Sequence, residues 1–142
     1  MPPIVRSFFV ALSLLASGCA YAAEYRLETW ADGLDLPWSI AFLPDGSALV
    51  TELGGQLKRL DASGENSVRI ENVPPVFFQG QGGLFDVVLH PDFPQNQWVY
   101  LSFAEGGKDD NGTAVARGRL HDDRLEELEI VFRNFTRKDT HA

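Results

Sequence analysis

Short apolar segments separated by Gly, Pro, Asn and Asp dominate the chain after Glu24, and no long stretch has the 3.6-residue periodicity of a helix. This pattern predicts an all-β protein. In the first half, the expected strands are residues 39–43, 48–52, 56–61 and 67–70. Pro44-Asp45-Gly46 and Leu53-Gly54-Gly55 separate the first three, and both suit tight turns because Pro fixes φ and Gly permits positive φ.

The same order of strands and turns recurs in the second half. The expected strands are residues 84–89, 98–104, 113–120 and 128–132, with a Pro-Asp turn after the first and a loop before the third. Pro44 and Pro91, which open the two Pro-Asp turns, are 47 residues apart. Four-stranded propeller blades repeat at about 40 to 50 residues. The repeat therefore favours two blades of a β-propeller, although Pro-Asp turns also occur in β-sandwiches.

Two blades cannot close a ring, because propellers contain at least four. Residues 23–142 are therefore interpreted as the N-terminal part of a propeller domain. Taken alone, such a part would expose an unpaired sheet edge and apolar blade faces. We expect this portion by itself to be inactive.

The first 22 residues predict a signal peptide. Arg6 is the only charged side chain before Glu24, and the apolar run at residues 8–16 is shorter than the roughly 20 residues that span a bilayer. Small residues place cleavage after Ala22, which predicts a periplasmic or secreted protein. An alternative is lipoprotein processing at residues 15–19 (LASGC), with a lipid anchor on Cys19, the only cysteine in the chain.

The acidic balance excludes one class of partner. The formal net charge is −8 at pH 7, and no cluster of Lys or Arg offsets it locally, so a phosphate backbone would be repelled. Nucleic acid is not an expected partner. The charge run at residues 108–110 is interpreted as solvated surface, and Asp109-Asp110-Asn111-Gly112 lacks the closing Glu of an EF-hand calcium loop.

The most unusual segment is residues 79–83, Gln-Gly-Gln-Gly-Gly. Its glycines permit a sharp turn and a close approach of ligand to backbone, while its amides offer donors and acceptors to a sugar hydroxyl. An ordinary turn between blades is the alternative interpretation. A phosphate site is not predicted, because the Gly-Lys-Ser/Thr pattern is missing.

The three histidines do not have the spacing of a metal site, and none is predicted. His90 precedes a Pro-Asp turn and is interpreted as a turn or packing residue, and His121 lies beside Asp122 in an expected solvated hairpin. His141 follows a polar loop. A loop histidine can act as a general base because its unperturbed pKa lies near neutrality.

Six motifs occur in a defined order: residues 36–46 (LPWSIAFLPDG), 49–52 (LVTE), 54–57 (GGQL), 80–84 (GQGGL), 90–93 (HPDF) and 98–103 (WVYLSF). Together they resemble the glucose/sorbosone dehydrogenase family, which includes soluble aldose sugar dehydrogenases that use pyrroloquinoline quinone (PQQ). The resemblance covers residues 34–132. It implies a six-bladed propeller with the cofactor in a cleft near its axis.

The resemblance also implies a reaction: a histidine base removes the hydroxyl proton at the anomeric carbon of an aldose, hydride passes to PQQ, and a lactone forms. Gln81 matches a glutamine that lines the sugar pocket in the family. His141 is the candidate base, unless the base lies beyond Ala142. Ligands of PQQ and of Ca²⁺ are expected downstream of Ala142.

Two further expectations concern partners and the alternative function. A periplasmic electron acceptor and a homodimer of the full-length protein follow from the same resemblance. The competing hypothesis is an exported, non-catalytic propeller that binds carbohydrate or protein, because fold alone does not specify function.

Overall fold

The computed structural model describes residues 25–134. The predicted signal peptide, Cys19 and His141 lie outside the described residues. Within them, eight strands form two four-stranded antiparallel sheets in chain order, which we call blade 1 (β1–β4) and blade 2 (β5–β8). The all-β prediction and the division into two propeller blades are confirmed. The strands are β1 (Pro37–Phe42), β2 (Ala48–Glu52), β3 (Gln56–Leu60), β4 (Ser67–Arg69), β5 (Leu84–Leu89), β6 (Trp98–Glu105), β7 (Gly112–His121) and β8 (Arg124–Arg133).

In blade 1, β2 is buried along its whole length, whereas β4 is short and exposed. This gradient follows from the sheet order, since β2 has neighbours on both sides and β4 lies at the edge. The β1–β2 turn is closed at both ends by backbone and side-chain bonds. The Leu43 N–H donates to the Ser47 carbonyl (2.8 Å), and the Ser47 hydroxyl donates to Asp45 Oδ1 (2.6 Å).

Blade 2 has longer outer strands, and β8 begins at Arg124 rather than at the predicted Leu128. Two irregularities in the β7–β8 register, between Val115 and Ala116 and between Arg117 and Arg119, break the alternation of apolar and polar residues. The acidic residues of this stretch pair across the strands, with the Arg117 Nε and Glu129 Oε1 atoms 2.6 Å apart. These acidic residues therefore belong to β8, the edge strand of blade 2.

A one-turn helix, α1 (Phe93–Asn96), replaces the simple Pro-Asp turn that the sequence predicts between β5 and β6. Pro94 suits the start of a helix because its missing N–H would have no partner there. Gln97 ends the turn with a left-handed backbone (φ 57°), and buried Phe93 anchors it to the core. Only tertiary burial of Phe93 distinguishes this segment from an ordinary turn.

The two blades pack through their inner strands and share one apolar core. Leu49 and Leu57 of blade 1 and Leu84 and Leu101 of blade 2 belong to it, and each is at most 1% exposed. Two polar contacts cross the same junction: the Thr51 hydroxyl donates to the Phe85 carbonyl (2.5 Å), and the Leu84 N–H donates to the carbonyl of Leu53, which follows β2 (3.0 Å). The junction is therefore fixed by both shape and hydrogen bonding.

Residues 25–36 form no helix or strand, and they contact blade 1 through Trp30 and Asp35. The Trp30 ring packs on Phe42 at 5.6 Å between centroids. Buried Glu52 accepts hydrogen bonds through Oε1 from the Asp35 N–H (2.6 Å) and from Lys58 Nζ (2.7 Å). None of the helices within residues 25–134 has the length and apolar character needed to cross a membrane.

Successive connections alternate between the two ends of an antiparallel sheet, and this alternation determines which connecting segments lie close together. We call upper the end that carries the β2–β3 turn, the segment entering β5 and the β6–β7 loop. The lower end carries the β1–β2 turn, α1 and the β7–β8 turn. Residues far apart in sequence are therefore brought together at the upper end.

Candidate functional site

A cleft of about 390 Å³ opens at the upper end of blade 2. This volume lies at the small end of the range for small-molecule sites, roughly 300–1,000 Å³. Its lining combines apolar residues with amide, hydroxyl and charged side chains. The lining residues are Phe77, Gln79, Gln81, Gly82, Phe85, Ala104, Lys108, Asp109, Asn111, Gly112, Thr113 and Asn134.

One wall is the turn at residues 79–83, whose shape depends on glycine. The Gly82 N–H donates to the Gln79 carbonyl (2.9 Å), and Gly80 has a positive φ of 62°. A Cβ on Gly82 would lie 2.6 Å from the Phe77 carbonyl oxygen, and one on Gly83 would lie 2.7 Å from the Leu53 carbonyl oxygen. Glycine is thus required for close packing at both positions, and the turn presents Gln81 to solvent at the cleft.

A second wall is the loop at residues 106–111, between β6 and β7. Sequence reasoning assigned its charged residues to solvated surface, and the structure shows that Lys108, Asp109 and Asn111 also line the cleft. The signal that could have found them is topological. In an antiparallel sheet with successive connections, this loop and the segment entering β5 must lie at the same end.

Hydrogen bonds and close packing fix the shape of this loop. Gly106 has φ 105°, and a Cβ there would lie 2.4 Å from the Asp110 carbonyl oxygen. Asn111 Nδ2 donates to the Gly107 carbonyl (3.1 Å). The loop is therefore built around a tight turn of its own.

An ion pair closes the base of the loop. Arg133 donates through two nitrogens to the Glu105 carboxylate, at 2.7 and 2.9 Å. These bonds lower the pKa of Glu105 and raise that of Arg133. Nearby, the Asn134 N–H donates to the Thr113 carbonyl (2.8 Å), so the end of β8 is joined to the same wall.

Two of the three histidines lie at the lower end, away from the cleft. His90 Nδ1 accepts the Asp92 N–H (3.0 Å) and lies 2.8 Å from Asn96 Nδ2, while its ring stacks on Tyr100. His121 is 71% exposed in the β7–β8 hairpin. Both predictions, of a turn residue and of a solvated hairpin, are confirmed. His141, the candidate base, lies outside the described residues.

The charge of the cleft indicates which ligand it suits. Lys108 and Asp109 are its only ionisable lining residues among those described, and their charges are opposite. PQQ carries three carboxylates and would need several cationic partners, so this cleft does not fit the cofactor. A neutral polyol matches it better, because amides and hydroxyls both donate and accept. Within residues 25–134, no group of three or more His, Cys, Asp or Glu side chains could hold a metal ion.

The sequence model of the Glucose / Sorbosone dehydrogenase family matches residues 34–142. The chain belongs to this family. It is 41% identical to the aldose sugar dehydrogenase YliI of Escherichia coli (strain K12) over 141 residues, which are 95% of this chain and 38% of that protein. The family resemblance given by the sequence motifs is confirmed.

Solved structures agree with this assignment. A glucose dehydrogenase superposes with a TM-score of 0.73 at 44% identity, covering 78% of this chain and 36% of that chain. The PQQ-bound form of the aldose sugar dehydrogenase of Streptomyces coelicolor gives a TM-score of 0.66 at 32% identity, covering 76% and 33%. The chain therefore spans 33–38% of the length of these three relatives.

Proposed function

We propose that the intact protein is a PQQ-dependent oxidoreductase that oxidises aldose sugars at the anomeric carbon to lactones. The observation that carries the proposal is the upper cleft, in which Gln81 of the family motif shares the lining with amide and hydroxyl side chains, one pair of opposite charges and two Phe rings. The relatives named aldose sugar dehydrogenase and glucose dehydrogenase support the substrate class. The PQQ-bound relative supports the cofactor.

The residues of this chain bind and orient the sugar. The Gln81 amide can donate hydrogen bonds to ring hydroxyls and accept hydrogen bonds from them, while Phe77 and Phe85 in the lining suit the apolar C–H faces of a pyranose. When bound, PQQ supplies the two-electron acceptor. Residues outside 25–134 would have to hold it, because the described cleft lacks the necessary cations.

His141 is the proposed base, and the length of the chain is compatible with that role. Asn134 lines the same cleft as Gln81, and His141 follows seven residues later. Seven residues can span at most about 25 Å, so His141 is within reach of a sugar held by Gln81. In this role it would take the proton from the anomeric hydroxyl, which becomes the carbonyl oxygen of the lactone.

Location and partners are part of the same proposal. The N-terminal 22 residues would direct the protein to the periplasm or outside the cell, or Cys19 would carry a lipid anchor. A periplasmic acceptor would reoxidise the cofactor, and Ca²⁺ would support it from sites beyond Ala142. The full-length protein would form a homodimer.

The test is dye reduction by the intact protein supplied with PQQ and Ca²⁺, measured over a panel of aldoses. We expect sugar-dependent reduction. His141→Ala should lower kcat roughly 10²- to 10⁴-fold, whereas the matched variant His121→Ala should leave it unchanged because His121 is exposed at the lower end.

A second pair of variants tests the cleft. Gln81→Ala should raise KM roughly three- to tenfold through loss of a neutral hydrogen bond, and Gln95→Ala on α1 at the lower end is its control. If no aldose supports reduction but calorimetry detects sugar binding, the non-catalytic carbohydrate-binding propeller is the correct alternative.

A further inference from the structure

We propose that the β6–β7 wall of the cleft selects among aldoses, with the Asn111 amide and the Thr113 hydroxyl as specificity-determining groups. This inference rests on the proposed function and extends it. Every aldose presents the same anomeric carbon to the oxidising centre. Discrimination between aldoses must therefore come from groups that contact the other ring hydroxyls.

The cleft offers such groups from two chain segments. Gln79 and Gln81 line it from the segment before β5, Asn111 and Thr113 line it from the β6–β7 side, and Phe85 also contributes to the lining. At about 390 Å³ the cleft suits one sugar ring. A ring bound in the cleft could therefore form hydrogen bonds with polar groups of both segments.

The β6–β7 wall is held in place by contacts within the protein and does not need a bound sugar. Its base is held by the Arg133–Glu105 ion pair and by the bond from the Asn134 N–H to the Thr113 carbonyl. The bond from Asn111 Nδ2 to the Gly107 carbonyl orients the amide and uses one of its four hydrogen-bonding positions. Binding to a preorganised wall costs little conformational entropy. Because the loop is held in place, it cannot easily move to accommodate a ring hydroxyl with the wrong orientation.

Both side chains are exposed in the described structure, which makes them suitable for mutation. Thr113→Val keeps the shape and strand propensity of β7 while removing the hydroxyl. Asn111→Ala removes the amide from an exposed loop. If Asn111→Ala distorts the loop, Thr113→Val still tests the wall, because its backbone bond to Asn134 is retained.

The experiment compares wild type, Asn111→Ala, Thr113→Val and the lower-end control Gln95→Ala in the intact protein. Calorimetry without PQQ measures the affinity for glucose, its epimers and its monodeoxy derivatives. Dye reduction with PQQ and Ca²⁺ measures kcat and KM for the same sugars. We expect each wall variant to bind its preferred aldose roughly three- to tenfold more weakly, with an unchanged kcat.

The deoxy sugars identify which ring hydroxyl each side chain contacts. For the derivative that lacks the contacted hydroxyl, each wall variant should match wild type, and the preference among epimers should narrow. Equal losses for all sugars, or unchanged affinities for all of them, would overturn the inference. If wild type binds sugars selectively without oxidising them, the proposed dehydrogenase function fails, yet the calorimetric comparison still decides the role of the wall.

Discussion

The two blades differ most at their upper ends. In blade 1, strands β2 and β3 are joined by the three-residue turn Leu53-Gly54-Gly55, with Gly55 at φ 97°. In blade 2, the corresponding connection is the loop at residues 106–111, which lines the cleft. The strands around both connections have the same order and direction. The same strand arrangement thus carries a three-residue turn in blade 1 and a longer loop that lines the candidate cleft in blade 2.

The lower ends of the two blades also differ, but there the additional residues of blade 2 pack into the core. Blade 1 closes its β1–β2 connection with Pro44-Asp45-Gly46, and blade 2 inserts α1, whose Phe93 is buried. Insertions therefore have different consequences at the two ends. At the lower end they fill the core, and at the upper end they form the candidate site.

The largest expected effect tests the junction that the two blades share. Leu84→Ala should lower the free energy of unfolding by about 2–5 kcal/mol, because Leu84 is fully buried between the blades and its loss leaves a cavity. Urea unfolding of the intact protein measures the change. Val68→Ala on the edge strand β4, where 46% of the residue is exposed, should change it by less than about 0.5 kcal/mol. Equal losses of unfolding free energy in the two variants would show that the junction contributes no more to stability than the edge strand.

The next prediction compares two glycines at the upper end. Gly83→Ala should cost about 3 kcal/mol, since the added Cβ would lie 2.7 Å from the backbone oxygen of Leu53. Gly54→Ala, in the blade 1 turn, should be nearly neutral because no atom lies within 4 Å of its Cβ. Thermal unfolding of both variants provides the comparison. A tolerated Gly83→Ala would contradict the close contact between the blades.

A third prediction concerns the polar contact between the blades. Thr51→Val should cost about 1–2 kcal/mol, because the Phe85 carbonyl and the Ser39 N–H each lose a bond to the buried hydroxyl. Thr51→Ser retains the hydroxyl and should lose less. Chemical denaturation of the two variants measures the difference, and a more stable Thr51→Val would refute the role of this bond.

The smallest effect depends on pH and belongs to blade 1. Hydrogen bonds from Ser63 and Asn66 lower the pKa of Asp61 in the β3–β4 turn from 3.8 to about 2. Ionised Asp61 therefore stabilises the folded state above pH 3.8, and this contribution is lost as the pH falls through about 2. Between pH 4 and 2, Asp61→Asn should lose less stability than wild type. Unfolding midpoints measured between pH 4 and 2 test this difference. Ser63→Ala, which removes one of the hydrogen bonds to Asp61, should show part of the reduced pH dependence.

The positions of most strands followed from the sequence. Seven of the eight strands lie within a few residues of prediction, because their apolar segments are bounded by Gly, Pro, Asn or Asp. The start of β8 was missed, since cross-strand ion pairs such as Arg117–Glu129 resemble solvated charge until the partner strand is known. Helix α1 was missed because four residues are too few to show helical periodicity.

The candidate site divides in the same way. Gln81 could be predicted because glycines at 80, 82 and 83 mark a constrained turn within a family motif. Asn111 and Thr113 were not predicted, because nothing in residues 105–113 resembles a ligand-binding motif. The predicted strand order places their loop at the same end as Gln81, but it does not show which side chains line a common cleft. The sequence by itself determined the blade repeat, the family and the glycine-bound turn, since turn chemistry and strand patterns are local. Only the tertiary structure decided which polar side chains share the cleft, because antiparallel connections bring residues 79–83 and 106–113 to the same end of the sheet.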